Sequence, residues 1–199
     1  ILITSMVGVA MRSTMDIDAS IKNLNLNAKD VEKAVKEIVN ISLDDGIGFE
    51  VKRVSNIMDS FEYPGIRLEL NALMSGMITP IKLDISTGDI ITPKEIKYSY
   101  HLLIEDREIS LWAYNLETVL AEKLQTILAR DVFNTRMRDF YDIFTLMKLY
   151  INDIDDQVLS KAFIATSQKR NSTFDHIGYQ LENIAKSTEL QKLWDQYQD

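Results

Sequence analysis

Cysteine is absent from the 199 residues, and disulfide scaffolds, thiol nucleophiles and thiolate metal sites go with it. Histidine is almost absent: His101 and His176 stand far apart, which removes the parts of histidine-rich metal centres and of most Ser-His-Asp schemes. Three prolines and seven glycines are too few for a linker-rich or low-complexity chain. No apolar run approaches the ~18 residues of a membrane span. The opening ILITSMVGVAM leads into charged, strand-like sequence instead of a cleavage site, so a cytoplasmic chain with no membrane partner is expected. The chain starts with Ile1, not Met, and the expectation is that N-terminal residues precede it in the parent protein. Positive charge is also short: 22 Lys and Arg against 30 Asp and Glu leave a net −8, which advertises no nucleic-acid footprint. What remains is carboxylate and lysine chemistry on a chain that is 46% hydrophobic and 26% charged, enough to bury a sizeable core.

The periodicity divides the chain. RSTMDID at 12–18 alternates, with Met15 and Ile17 on one side and Thr14, Asp16 and Asp18 on the other, the period of a half-buried strand. Asn27 offers an N-cap, and Val31, Ala34, Val35, Ile38 and Val39 fall at helical spacing, predicting a helix over 28–40. Alternating runs at 47–54, 66–72, 80–86, 96–104 and 107–112 predict further strands of one sheet. From Tyr114 the period becomes 3.6, predicting helices near 115–130, 136–151, 155–168, 173–186 and 188–198. The expected fold class is α+β, with an α/β domain over 1–112 and a helical domain over 113–199.

Several polar residues sit where chemistry is conceivable. Asp16 and Asp18, at i and i+2 of one strand, leave the same face about 7 Å apart along the backbone. They read either as a solvated strand edge or as a pair converging on a divalent cation. In PIKLDIS the apolar Ile81, Leu83 and Ile85 face one way and leave Lys82 and Asp84 on a polar sheet face. If the strands are neighbours, three carboxylates gather in an arrangement suited to Mg²⁺ or Mn²⁺ and to orienting a nucleoside triphosphate. Lys123 falls within the apolar stripe of Leu116, Val119, Leu120, Leu124 and Ile127, so it must be neutral, snorkelling or directed at an anion. Arg130 shares that face. In the next helix, Asp139 and Arg136 lie on the face of Phe140, Ile143, Phe144 and Met147, with Asp142 on its border. An interhelical network of Lys123, Arg130, Arg136 and Asp139 with no chemistry, and an active-site role, both fit this spacing.

Taken in order, RSTMDIDASIK at 12–22, IKLDISTGD at 81–89, NLETVLAEKLQTILAR at 115–130 and NTRMRDFYDIFTL at 134–146 resemble the AbiEii family of nucleotidyltransferase toxins, within the DNA polymerase β-like nucleotidyltransferase superfamily. The resemblance runs from Ile1 to about Leu149. It implies a nucleotidyltransferase-like mixed sheet with flanking helices, followed by a helical domain. It also implies transfer of a nucleotide from an NTP, GTP among the candidates, to an acceptor hydroxyl, tRNA among the candidates, in abortive infection or toxin–antitoxin function. By that resemblance Asp16 and Asp18 match the metal-binding D-x-D and Asp84 the third carboxylate. Lys123 matches the lysine of the E-K-L block, and Asp139 and Asp142 match the R/K-D-x-x-D block. Arg12, Ser13, Thr14, Lys123, Arg136 and Asp142 fall on the nucleotide-binding side, and Asp84, Lys123 and Asp139 on the catalytic side. Mg²⁺ or Mn²⁺ is the implied cofactor, and the implied cognate antitoxin need not be a physical partner. Superfamily members carry a Gly-Gly or Gly-Ser phosphate-gripping turn ahead of the D-x-D, and this chain begins just after that point. A nucleotide-binding module of the same fold that performs no turnover is the alternative.

Overall fold

Asn27 begins the first half as its sequence suggests: its side chain accepts from the Asp30 amide and caps a helix over Ala28–Val39. Val31 and Val35 from that helix are buried against Ile66, Leu68, Leu70 and Ile85 of a sheet, the apolar face that strict alternation of those strands requires. The structure is a computed structural model and describes residues 2–8, 16–22, 27–57, 65–87, 89–102 and 106–198. In chain order the elements are α1 (Leu2–Val7), β1 (Asp16–Ile21), α2 (Ala28–Val39), β2 (Ile47–Ile57), β3 (Gly65–Met74), β4 (Met77–Thr87), β5 (Ile96–His101), β6 (Glu108–Ala113), α3 (Leu116–Arg130), α4 (Met137–Tyr150), α5 (Asp156–Lys169), α6 (Ile177–Lys186) and α7 (Thr188–Gln198). Single 3₁₀ turns follow α3 and α4. This is the α+β, nucleotidyltransferase-like class that the sequence implies. Among the described residues, no helix is long and apolar enough to cross a membrane.

The chain falls into two compact units. The first, from Val9 to Asp89, holds a four-stranded mixed sheet in the order β1-β4-β3-β2, with β1 parallel to β4 and the other pairs antiparallel. β3 and β4 are joined by Ser75-Gly76, both at positive φ (47° and 85°), the two-residue turn whose twist suits a hairpin. That places Met74 opposite Met77. β2 pairs with β3 along its length, with a shift in register between Val51 and Arg53.

The second unit joins Leu2–Gly8 to Ile90–Asp199. Its core gathers Val7, Val119, Leu120 and Leu146, with Leu2, Ile3, Met6 and Tyr150 packed around them. The Tyr150 hydroxyl donates to the Met6 carbonyl at 2.7 Å, fastening α1 to the end of α4. Asn115 caps α3 by accepting from the Thr118 amide, and its side-chain amide donates to the Thr92 carbonyl at 2.6 Å. α3 is buried on most sides, which explains a weakly amphipathic sequence: a helix surrounded by α4, α5 and α6 needs no single apolar stripe.

The structure corrects one expectation here. Residues 96–101 and 108–113 do not extend the first sheet; they form a separate two-stranded antiparallel pair within the second unit. Alternation identifies a strand but not its partner, and among the described residues these two strands pair with each other. Trp112 on it is 67% exposed, with the Lys97 ammonium 5.2 Å from its ring, so it is not a core residue.

Candidate active site

Two clusters of charge stand out, one in each unit. In the first unit, the parallel register sets Asp16 beside Lys82, Asp18 beside Asp84 and Ser20 beside Ser86. Registered residues share a face, so Asp16, Asp18 and Asp84 leave the same side of adjacent strands, opposite the core under α2. The antiparallel register of β3 adds Arg67 beside Asp84, Glu69 beside Lys82 and Asn71 beside Pro80 on that same side. The polar face is therefore continuous across three strands, and the strand adjacency that the sequence left open is present.

Asp84 does not stand alone on it. Arg67 grips it with both prongs, Nε to Oδ1 at 2.7 Å and Nη2 to Oδ2 at 2.6 Å, the fork geometry that makes arginine–carboxylate pairs strong. That hydrogen bond holds the Arg67 pKa above its ordinary value against the opposing effect of burial, and the charges of Asp84, Asp16 and Glu69 add to it. Arg67 is therefore a permanent cation on this face. At the carboxyl end of the parallel pair, the Ser86 hydroxyl donates to Asp89 Oδ2 at 2.5 Å, and Ser20 donates to the same oxygen while lying 3.0 Å from Ser86.

Among the described residues, no group of three or more His, Asp or Glu side chains is arranged to hold a metal ion. The chemistry of the donors explains the result. Mg²⁺ commonly takes one or two carboxylates from a protein, and Asp16 and Asp18, on one face of β1, supply such a pair. Asp84 adds nothing to it while Arg67 holds both of its oxygens. The pair on β1 fits a hard divalent cation; the trio in this arrangement does not.

In the second unit, α3 and α4 bring Lys123, Arg136, Asp139 and Asp142 together. Lys123 Nζ lies 3.0 Å from Asp139 Oδ1 and 2.7 Å from Asp142 Oδ2, and Arg136 Nε lies 2.9 Å from Asp139 Oδ2 without the alignment of a hydrogen bond. Asp142 is fully buried and the Lys123 side chain only 15% exposed. A lysine out of place in an apolar stripe is thus directed at carboxylates, as elementary electrostatics requires of a buried ammonium. Two cations meet two anions, so the cluster is locally neutral.

Two details differ from the spacing argument. Asp142, expected on the border of the apolar face of α4, is at its buried centre, whereas Phe144 is 58% exposed. α4 is turned so that Met137, Asp139, Asp142, Thr145 and Leu146 face inward. Arg130, expected in the network, makes no side-chain hydrogen bond or ion pair among the described residues, and Asp142 joins the network as a second anion. Arg12, Ser13 and Thr14 lie outside the described residues. Arg67, Ser20 and Ser86 are polar-face residues that the sequence reading passed over. The alternation of GIRLELNA already put Arg67 and Glu69 opposite Ile66, Leu68 and Leu70.

No curated protein matches the chain. Among solved structures, the crystal structure of JHP933 from Helicobacter pylori is similar, with 16% identity, a TM-score of 0.48, and coverage of 98% of this chain and 82% of that one. The family model described as nucleotidyl transferase AbiEii toxin, type IV toxin–antitoxin system, matches residues 1–199. A match over the whole length, and not only over the four sequence blocks, makes the chain a member of the AbiEii nucleotidyltransferase toxin family.

Proposed function

We propose that the chain transfers a nucleotide from an NTP, with GTP a candidate donor, to an acceptor hydroxyl, with tRNA a candidate acceptor. The observation that carries this reading is the register of β1 with β4, which aligns Asp18 with Asp84 on one polar face, the two positions that the sequence resemblance matches to carboxylates of the family's site. In the reaction the acceptor oxygen forms a bond to the α-phosphorus and the bond to pyrophosphate breaks. The hydroxyl proton passes to Asp84, the carboxylate on the strand next to the D-x-D. Asp16 and Asp18 hold Mg²⁺ or Mn²⁺, whose chemistry when bound is to neutralise charge on the triphosphate. Lys123 is assigned to the triphosphate and to the charge that develops on the leaving pyrophosphate. Asp139 and Asp142 fix its ammonium, a support for preorganisation that their 3.0 and 2.7 Å contacts favour. Arg12, Ser13 and Thr14 are proposed on the nucleotide side with Arg136. The physiological setting is a toxin countered by a cognate antitoxin, in the cytoplasm.

One observation favours a second reading, a module that binds NTP without turnover: the proposed proton acceptor is tied to a guanidinium at both oxygens. Incubating the full-length protein with α-labelled NTPs, Mg²⁺ and total cellular RNA separates the two. Label on RNA, lost in Asp16→Asn, supports transfer. Saturable NTP binding with unlabelled RNA, and no label on protein or small acceptors, supports the binding module and overturns the enzymatic reading.

A further inference from the structure

Of the carboxylates that the proposed reaction needs, Asp84 is held at both oxygens by one side chain. Asp84 is offered to the polar face beside Asp18, yet both of its oxygens are spent on Arg67 at 2.7 and 2.6 Å. Arg67 enters from β3, the strand on the other side of Asp84 from β1, so it approaches from the flank away from the D-x-D. It is well placed to let go. Its side chain is 38% exposed against 22% for Asp84, so the guanidinium can leave for water at lower cost than the carboxylate can move. Glu69, two residues along the same face of β3, offers a second acidic neighbour to a released Arg67.

We infer that Arg67 is the resident counter-ion of this face, a positioning residue that withholds Asp84 from any divalent cation held by Asp16 and Asp18 until the guanidinium pair opens. The inference rests on the nucleotidyltransferase reading for the identity of the cation pair, and on the register and the bidentate contact for everything else. A monovalent cation supplied by the protein then occupies the third carboxylate in the absence of substrate. Cation binding at Asp84 becomes a competition with the guanidinium for the same two oxygens. The triphosphate, an anion, is a second acceptor for the released guanidinium, so nucleotide and cation would be taken up together better than either alone.

Binding of Mn²⁺ to the full chain, followed by the paramagnetic resonance signal of the free ion, tests this without reference to turnover. Four proteins are needed: unmodified, Arg67→Gln, Arg67→Lys and Asp16→Asn, each checked by its thermal melt. The expected result is a Kd for Mn²⁺ lowered about tenfold in Arg67→Gln. Arg67→Lys, which keeps the charge but loses the fork, should fall between, and Asp16→Asn should bind least. Unchanged or weaker binding in a folded Arg67→Gln protein, with Asp16→Asn still defective, overturns the counter-ion role and leaves the cation pair standing. Binding that is insensitive to Asp16→Asn removes the cation pair itself, and the counter-ion role with it.

Discussion

Single residues carry stability, proposed chemistry or both, and burial marks the ones that carry stability. Lys123 is of the first kind whatever else it does: its removal leaves Asp139 and fully buried Asp142 facing each other without their shared cation. Lys123→Met should therefore lower the unfolding free energy by about 3 kcal/mol, and adding Asp142→Asn should return about 1 to 2 kcal/mol of it. Urea unfolding of the four proteins of that cycle measures the coupling; additive losses would mean that the two charges ignore each other. Asp18 is of the second kind. It is exposed on β1, so Asp18→Asn should change stability by less than about 0.5 kcal/mol while abolishing label transfer to RNA. A loss of transfer from Lys123→Ala alone would confuse the two effects, which is why the exposed aspartate is the better probe of function.

At the scale of elements, the clearest prediction concerns α1 and α4. Burial, with smaller contributions from Tyr98 and Asp153, holds the Tyr150 pKa above its ordinary 10.0. The unfolded chain releases that phenolic proton at its ordinary value while the folded chain retains it. The stabilisation is thus complete below about pH 10 and is lost as the pH climbs through the higher folded value. Tyr150→Phe should cost about 1 kcal/mol at neutral pH, by removing the bond to the Met6 carbonyl, and thermal melts above about pH 10 should show a shallower alkaline fall in the variant. In the first unit, Leu68→Ala should cost about 2 to 5 kcal/mol, and hydrogen exchange should accelerate in α2, β3 and β4. Element positions were largely legible in the sequence because most of these segments are half-buried, and half-burial writes its period into the residues. The helix over 28–40 and the helices after Tyr114 lie within a few residues of their expected ranges. α1 was not legible. Six residues give no period, and its helicity is set by packing on residues far along the chain. The pairing of β5 with β6 was hidden for a related reason, since ladder partners are chosen by the whole chain and not by local alternation. In the candidate site, alternation marked the faces of Asp16, Asp18 and Asp84, but a charge on a polar face looks unremarkable, so Arg67 passed unnoticed. Lys123 did not, because a charge on an apolar face is a local contradiction.

For the molecule as a whole, net charge sets how an acceptor is met. A body of charge −8 repels a polyanion at long range. If RNA is the acceptor, kcat/KM for RNA should rise between about 20 and 150 mM salt, as the Debye length shrinks from roughly 20 to 8 Å. A steep fall over the same range would instead indicate a local basic contact strong enough to outweigh the overall repulsion. The chain's path between its two units has a further consequence, for biosynthesis. Helix α1 leaves the ribosome ahead of the other described elements, but the Tyr150 hydroxyl that fastens it belongs to a residue 144 positions after Met6. At about 5 to 20 residues per second the wait is on the order of ten seconds. Throughout it, Leu2, Ile3, Met6 and Val7 have no mature surface to cover them, which makes the nascent α1 segment a natural client for a ribosome-associated chaperone.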